Sequence, residues 1–175
     1  HDELRRQRQM CIRDRLNTSV KWAIAGRDKD KLQQVAEENS VEVEILIADS
    51  DNEAELDVLT SRAKVILSTT GPFHRYGSKL VASCIMNSSH YVDITGENFW
   101  VKGIIAKHHE EASAKGVRII PSCGYDSIPS DLGVFYAAKA LNKPIKRIES
   151  FHSWKGGASG GTLETMFSMG DLDLV

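Results

Sequence analysis

Residues 20–48 have the sequence V-K-W-A-I-A-G-R-D-K-D-K-L-Q-Q-V-A-E-E-N-S-V-E-V-E-I-L-I-A, and this stretch decides the fold. Residues 20–25 predict a short strand, which a Gly-Arg pair ends. Residues 28–39 predict an amphipathic helix, because three apolar residues share one face: Leu32, Val35 and Ala36. Residues 41–48 predict a second strand, in which alternation gives way to a continuous apolar run. The stretch therefore predicts a β-α-β unit with parallel strands.

The same alternation of short apolar runs and helical segments continues to residue 141. Further strands are predicted at residues 64–68, 91–95 and 117–122, and further helices at residues 52–61, 79–86, 100–115 and 129–141. Five strands, each followed by a helix, indicate right-handed crossovers and a parallel sheet that is covered on both faces. We therefore expect an α/β fold with a doubly wound parallel sheet.

The pattern changes after residue 141. Residues 145–154 alternate strongly, which is typical of an antiparallel strand with one solvated face. A glycine-rich loop at residues 155–162 and a helical start at residues 163–169 follow. One strand and one helix cannot enclose a core, so we expect residues 143–175 to be the beginning of a second domain.

The composition is that of an ordinary globular protein. Among 175 residues, 41% are hydrophobic and 26% are charged, with a net charge of −2. These values exclude disorder, collagen and coiled coil as descriptions of the whole chain, and near-neutral charge argues against nucleic-acid binding. No apolar run approaches the roughly 20 residues of a transmembrane helix. The three cysteines and the His108-His109 pair lack metal-ligand spacing, so we expect a metal-free cytoplasmic protein.

The first 16 residues differ in charge from the rest of the chain. They contain five arginines and three acidic residues, which gives this head a charge of +2. Such a head is compatible with a disordered arm, a basic tail or a targeting segment. Its string R-Q-R-Q-M-C-I-R-D also resembles the translation of a sequencing-adapter remnant. We therefore expect residues 1–16 to be foreign to the native sequence.

Small and polar residues follow each predicted strand, at the edge where open parallel sheets bind their ligands. Each of these clusters alone is typical of a turn, but five at successive strand ends indicate a binding site, because small residues let a ligand approach the backbone. The clusters are Gly26-Arg27, Asp49, Thr69 to Pro72, Gly96-Glu97 and Cys123 to Ser127.

Arg27 indicates which ligand this edge would bind. Dinucleotide folds that prefer NAD place a carboxylate after the second strand, whereas an arginine there accommodates the 2′-phosphate of NADP. The alternative is a solvated arginine near a helix start, where a cation is mildly unfavourable. We therefore expect NADP, with NAD as the second possibility. The G-x-G-x-x-G turn is absent before residue 20, so either the fold is another α/β type or its first strand and turn are missing.

Four motifs carry a resemblance to a known family: W-A-I-A-G-R-D-x-x-K-L, S-T-T-G-P-F-H-R-Y-G, H-Y-V-D-I-T-G-E and C-G-Y-D-S-I-P-S-D-L-G. In this order they resemble the saccharopine dehydrogenase-like oxidoreductases, a group also described as trans-acting enoyl reductases. The resemblance implies an NAD(P)-binding Rossmann domain followed by a smaller α+β substrate domain. Residues 17–142 would then be a Rossmann-like domain without its first strand and Gly-rich turn, and residues 143–175 the start of the substrate domain.

The resemblance also implies roles for residues at the strand ends. The adenosine ribose-phosphate is expected at Gly26 and Arg27, and the adenine near Asp49. For proton transfer the sequence offers only candidates by location, Tyr76 and Asp126. The residues expected along the rest of the dinucleotide are Thr69, Thr70, Gly71, Pro72, Cys123 and Gly124.

These observations leave three functions open. The first is an NADP-dependent oxidoreductase that acts on an imine or amino-acid adduct, or on an enoyl lipid; the 175 residues alone are expected to fold poorly and to be inactive. The second is a non-catalytic nucleotide-binding scaffold at a membrane or lipid droplet. The third makes Cys123 a nucleophile, but no histidine is near it in sequence and G-x-S-x-G is absent. The expected partners are a small-molecule or lipid substrate and, in a homodimer, a second copy.

Overall fold

The computed structural model describes residues 19–141, 143–153, 163 and 167. In these residues every strand is followed by a helix, so the α/β class predicted from the sequence is confirmed. The elements in chain order are β1 (Ala23–Gly26), α1 (Lys29–Glu38), β2 (Glu44–Ile47), α2 (Glu53–Ser61), β3 (Val65–Ser68), α3 (Phe73–Met86), β4 (His90–Asp93), α4 (Asn98–Ala114), β5 (Ile119–Ile120) and α5 (Ile128–Leu141).

The helix ends are set by local capping. The Asp28 carboxylate accepts the Lys31 amide before α1, and the Asn52 side chain accepts the Glu55 amide before α2. Such contacts satisfy backbone donors that have no partner within the helix. After α4, Gly116 has a φ of 66°, the left-handed conformation that commonly ends helices.

Helix α3 is longer than the sequence predicts, because it begins at Phe73 and not at residue 79. The residue that obscures its first two turns is Gly77, since glycine lowers helix propensity. Here the glycine is required by packing: a Cβ at this position would lie 2.6 Å from Cζ2 of Trp100 on α4. The contact lets α3 and α4 approach closely.

The strands form two separate parallel sheets in the described part of the chain. β1 pairs with β2, placing Ala23 opposite Glu44, whereas β3, β4 and β5 pair in that order. In a Rossmann sheet of order 3-2-1-4-5-6, one strand lies between these two groups. β1 and β3 each have one edge that pairs with no described strand. Among the described residues, the sheet is therefore interrupted between β1 and β3, where the sequence predicts a missing first strand.

The core lies on one side of the three-stranded sheet. Val65 and Leu67 on the other face of β3 are 52% and 47% exposed, as alternation along a strand dictates when one face lacks a covering helix. Helix α5 has no buried residue, although its sequence is largely apolar. The core residues come from α2, α3, α4, β4 and the segment that precedes β5: Leu56, Phe73, Leu80, Val81, Cys84, Ile85, Tyr91, Trp100, Ile104, Ala112 and Val117.

The antiparallel strand predicted at residues 145–154 is wrong for its described part. Residues 145–153 form no strand and pair with no described strand, and an extended segment without such pairing is not stable as a strand. The predicted glycine-rich loop at residues 155–162 lies outside the described residues, as does the head at residues 1–16. Of the predicted helical start, Leu163 and Phe167 are described, and both are helical.

None of the helices in the described ranges has the length and apolar character needed to cross a membrane.

Candidate functional site

The carboxyl ends of β4 and β5 are joined through Asp93, the last residue of β4. Its Oδ1 accepts the amides of Thr95 (3.0 Å) and Ser122 (2.9 Å), and its Oδ2 accepts the Tyr91 hydroxyl (2.9 Å). The Cys123 amide donates to the Asp93 carbonyl oxygen (2.7 Å). Burial raises the pKa of Asp93, although these donors act in the opposite direction. Asp93 thus fixes two of the loops that follow the strands.

The loop after β4 is joined to the start of α3 through Glu97, which is fully buried. Glu97 Oε1 accepts the Phe73 amide (2.7 Å), and Oε2 accepts the His74 amide (2.8 Å). Oε2 also lies 2.6 Å from His74 Nδ1. The carboxylate therefore satisfies two amides at the helix N-terminus, where a negative charge is favourable. Asp93 and Glu97 together organise the edge that follows β3, β4 and β5.

The sequence places Glu97 at a strand end without indicating a role, and Asp93 and His74 are not among the site residues that it predicts. The sequence does contain a signal for these two acidic residues. Asp93 lies at the end of an apolar strand, and Glu97 lies two residues after Thr95. The partner could not be found from sequence, since His74 and Glu97 are 23 residues apart.

Arg27 and Asp49 follow the two strands of the smaller sheet, at its carboxyl edge. Arg27 is exposed and makes no hydrogen bond or ion pair with any described residue. Asp49 is half-buried, and its Oδ1 accepts the Asp51 amide (2.9 Å) while its own amide donates to Glu55 Oε2 (2.8 Å). Register pairs Gly26 with Ile47, so Arg27 and Asp49 lie on neighbouring strand ends. The structure therefore brings this predicted pair together.

Asp126 lies over two glycines at the edge of the larger sheet. A Cβ on Gly124 would lie 2.5 Å from Asp126 Oδ1, and a Cβ on Gly96 would lie 3.8 Å from Asp126 Oδ2. A Cβ at position 124 would therefore require the exposed Asp126 side chain to shift. Tyr76 is placed differently, half-buried in α3, with its amide bonded to the Pro72 carbonyl oxygen. The two candidates for proton transfer thus belong to different elements of the edge.

Thr69 to Pro72 connect β3 to α3 by way of a cis Gly71-Pro72 bond. The Thr70 amide donates to Ser68 Oγ (3.4 Å), and the Thr70 side chain is exposed. Pro72 precedes the first residue of α3 with extended backbone. This turn therefore leads directly into Phe73 and His74, whose amides Glu97 accepts, at the edge where a ligand of such a sheet binds.

Cys123 is half-buried at the same edge, and its environment disfavours a thiolate. Burial raises the pKa of its thiol, and the Asp93 charge raises it further. The thiol points to backbone, with Sγ 3.4 Å from the Ile120 carbonyl oxygen. Since the thiolate is the nucleophilic form, the structure argues against nucleophilic catalysis by Cys123.

We expect Cys123 to alkylate more slowly than an unhindered cysteine when iodoacetamide is added near pH 8. Its raised pKa leaves a smaller thiolate fraction than the ordinary value would give. Peptide mapping by mass spectrometry measures the rate for each cysteine separately. Cys84, which is buried with a pKa raised to about 12, provides an unreactive internal standard. Modification of Cys123 as fast as free cysteine would contradict this account.

The described edge has the groups needed for two parts of a dinucleotide. Arg27 offers an exposed guanidinium after β1 that has no partner among the described residues, and such a group is suited to a phosphate on the adenosine ribose. Gly96 offers exposed backbone beside Asp126, which a planar ring can approach. Within the described residues, no Gly-rich turn follows a strand to bind the pyrophosphate. The residues present therefore fit the adenosine ribose phosphate and a planar ring of a dinucleotide.

Comparisons with known proteins identify the family of the chain. The model of the saccharopine dehydrogenase NADP binding domain matches residues 10–120. A saccharopine dehydrogenase-like oxidoreductase from Mus musculus is 41% identical over 153 residues, covering 82% of this chain and 36% of the relative. A trans-acting enoyl reductase from Mycobacterium leprae is 39% identical, covering 67% and 29%. A lipid droplet localized protein from Caenorhabditis elegans is 32% identical, covering 84% and 37%.

The fold is shared with a solved structure, apo saccharopine dehydrogenase (L-Glu forming) from Saccharomyces cerevisiae. The TM-score is 0.59 at 15% identity, with 79% of this chain and 28% of that chain covered. The chain spans about a third of the length of the curated relatives that it matches. The family model covers more than half of the chain. The chain therefore belongs to the saccharopine dehydrogenase NADP-binding domain family, and its cofactor is NADP.

Proposed function

We propose that this chain is the cofactor-binding part of an NADP-dependent oxidoreductase. The observation that carries the proposal is the exposed Arg27 guanidinium at the carboxyl end of β1, which bonds to none of the residues that the structure describes. In a fold of this kind, that position selects between the 2′-hydroxyl of NAD and the 2′-phosphate of NADP. The names of the mouse and Mycobacterium leprae relatives, an oxidoreductase and an enoyl reductase, support the same class of reaction.

The binding roles follow the two sheets. Arg27, after Gly26, binds the 2′-phosphate, and a charge-assisted contact of this kind contributes about 1.5–3 kcal/mol. Asp49 lies on the neighbouring strand end, and we expect the adenine to bind next to it. The remaining dinucleotide runs along the larger sheet, past Thr69, Thr70, Gly71, Pro72, Cys123 and Gly124.

When bound, NADP carries the hydride, and the protein supplies position and electrostatics. The loops that follow β4 and β5 are suited to that task because Asp93 fixes both through buried hydrogen bonds. The substrate is a compound with a C=N bond, such as an amino-acid adduct, or an enoyl lipid. Neither Asp126 nor Tyr76 has a hydrogen bond to its side chain among the described residues that would orient it for proton transfer.

Turnover of two substrate classes tests this proposal. The full-length protein is mixed with NADPH and either a trans-2-enoyl thioester or a 2-oxo acid with a primary amine, which form an imine in solution. We expect NADPH to be oxidised with one of the two classes. Binding of NADPH without oxidation by either class would contradict the enzymatic function.

A scaffold at lipid droplets is the second candidate. It is supported by the name of the Caenorhabditis elegans relative and by the unburied apolar face of α5, with Leu132, Phe135 and Tyr136 exposed. A cytoplasmic protein with this face against a lipid surface would associate peripherally. Fractionation with lipid droplets, together with NADPH binding and no turnover, would favour this alternative.

A further inference from the structure

We propose that His74 exchanges a proton with the substrate and that Glu97 positions it for this task. The proposal rests on the oxidoreductase function proposed above and adds the acid-base group that the sequence could not supply. Its basis is the contact between His74 Nδ1 and the buried Glu97 carboxylate, at 2.6 Å.

The orientation of the imidazole is fixed by that contact. The Glu97 side chain is 1% exposed and the His74 side chain is 12% exposed. Glu97 cannot rotate away without releasing the amides of Phe73 and His74, both of which it accepts. When Nδ1 is protonated and donates a hydrogen bond to Glu97, the opposite nitrogen of the neutral ring, Nε2, keeps its lone pair. Among the described residues, Nε2 has no hydrogen-bond partner.

The position of His74 also fits a role in the reaction, because His74 lies at the carboxyl edge of the sheet, where folds of this kind bind their ligands. His74 lies in the first turn of α3, two residues beyond Pro72. Its ring packs against Phe99 at the start of α4, with ring centroids 5.6 Å apart. It therefore lies between the carboxyl ends of β3 and β4. By contrast, His90 begins β4 at the opposite edge of the sheet, where its Nδ1 accepts the Arg118 amide.

In the oxidative direction the substrate loses a hydride to the bound cofactor and a proton to His74, so atoms and electrons balance. In the oxidative direction the substrate C–H hydrogen leaves with both bonding electrons. The neighbouring X–H bond, where X is nitrogen or the α-carbon, gives its electron pair to the new C=X double bond and its proton to His74 Nε2. In the reductive direction Nε2 returns that proton. Glu97 remains a positioning residue throughout, since it holds Nδ1–H and takes no proton.

The test uses His74→Asn in the full-length protein. An asparagine can still donate an N–H to Glu97, but it cannot exchange a proton, so the positioning contact and the acid-base role are separated. We expect kcat to fall about 10²- to 10⁴-fold, which is typical of a lost general acid-base group. NADPH affinity is expected to change less than about 3-fold, since the rest of the edge is intact. His109→Asn, at an exposed position on α4, is the matched control and should leave kcat unchanged.

A second measurement does not depend on turnover. Nitrogen-15 NMR of the histidine rings should show neutral His74 as the Nδ1–H tautomer, and Glu97→Gln should reduce that tautomer's population. Wild-type kcat in His74→Asn, or an Nε2–H tautomer in the wild type, would overturn the role of His74 while leaving the proposed function standing. Absence of wild-type turnover with both substrate classes would overturn the proposed function and this inference with it.

Discussion

Replacing Arg27 with glutamate is expected to weaken NADPH binding by the full-length protein about 10- to 100-fold, which corresponds to losing a contact of about 1.5–3 kcal/mol. The substitution removes the cation beside the 2′-phosphate and adds a like charge. NADH has no phosphate at this position, so its affinity should change little. Fluorescence titration of each reduced cofactor measures the two dissociation constants, and their ratio isolates the phosphate contact from any general loss of stability.

Arg118→Glu is the matched control for this charge reversal. Arg118 immediately precedes β5, at the opposite edge of the sheet, and is exposed like Arg27. The control changes the net charge equally but lies away from the ligand edge, so NADPH affinity should stay near the wild-type value. An equal loss of NADPH and NADH affinity in Arg27→Glu would remove Arg27 from the phosphate-binding role.

Two glycine-to-alanine substitutions in neighbouring helices are expected to change stability in opposite directions. Gly77→Ala in α3 places a Cβ 2.6 Å from Cζ2 and 3.0 Å from Cη2 of Trp100. Trp100 is buried and donates its indole N–H to Ser78 Oγ at 2.9 Å, so it cannot move without loss. Overpacking of this kind costs about 1–3 kcal/mol, which exceeds the gain in helix propensity.

Gly103→Ala in α4 is the matched control. A Cβ at Gly103 meets no atom within 4 Å, so only the helix propensity changes. We expect this variant to gain about 0.5–1 kcal/mol. Urea denaturation of both variants, compared with wild type, gives the free energies of unfolding. A stabilised Gly77→Ala protein would show that the close contact between α3 and α4 is not a feature of the folded protein in solution.

Local chemistry made much of the fold predictable. Hydrophobic periodicity located the strands and most of the helices up to residue 141, because apolar residues recur with the period of each element and α1 and α2 begin at capping residues. Asp28 and Asn52 illustrate this, since each is a polar residue directly before an amphipathic run and each accepts an amide of the first turn. The positions of Arg27 and Asp49 were also predictable from the sequence, because the carboxyl ends of parallel strands lie at one edge of the sheet.

What escaped prediction depends on contacts between distant residues. The start of α3 was missed because Gly77 weakens the helical signal, and its partner Trp100 is on another helix. The Glu97–His74 contact was missed for the same reason. The strand predicted at residues 145–154 was wrong in its described part. An alternating pattern shows which face of a strand would be exposed to solvent, but it does not show whether a neighbouring strand pairs with it.

The most direct test of the central claim is a titration of the wild-type full-length protein with NADPH and with NADH. If this edge is an NADP site selected by Arg27, NADPH should bind at least about 10-fold more tightly, which is the lower bound of a charge-assisted contact. Equal affinities for the two cofactors, or tighter binding of NADH, would contradict the account.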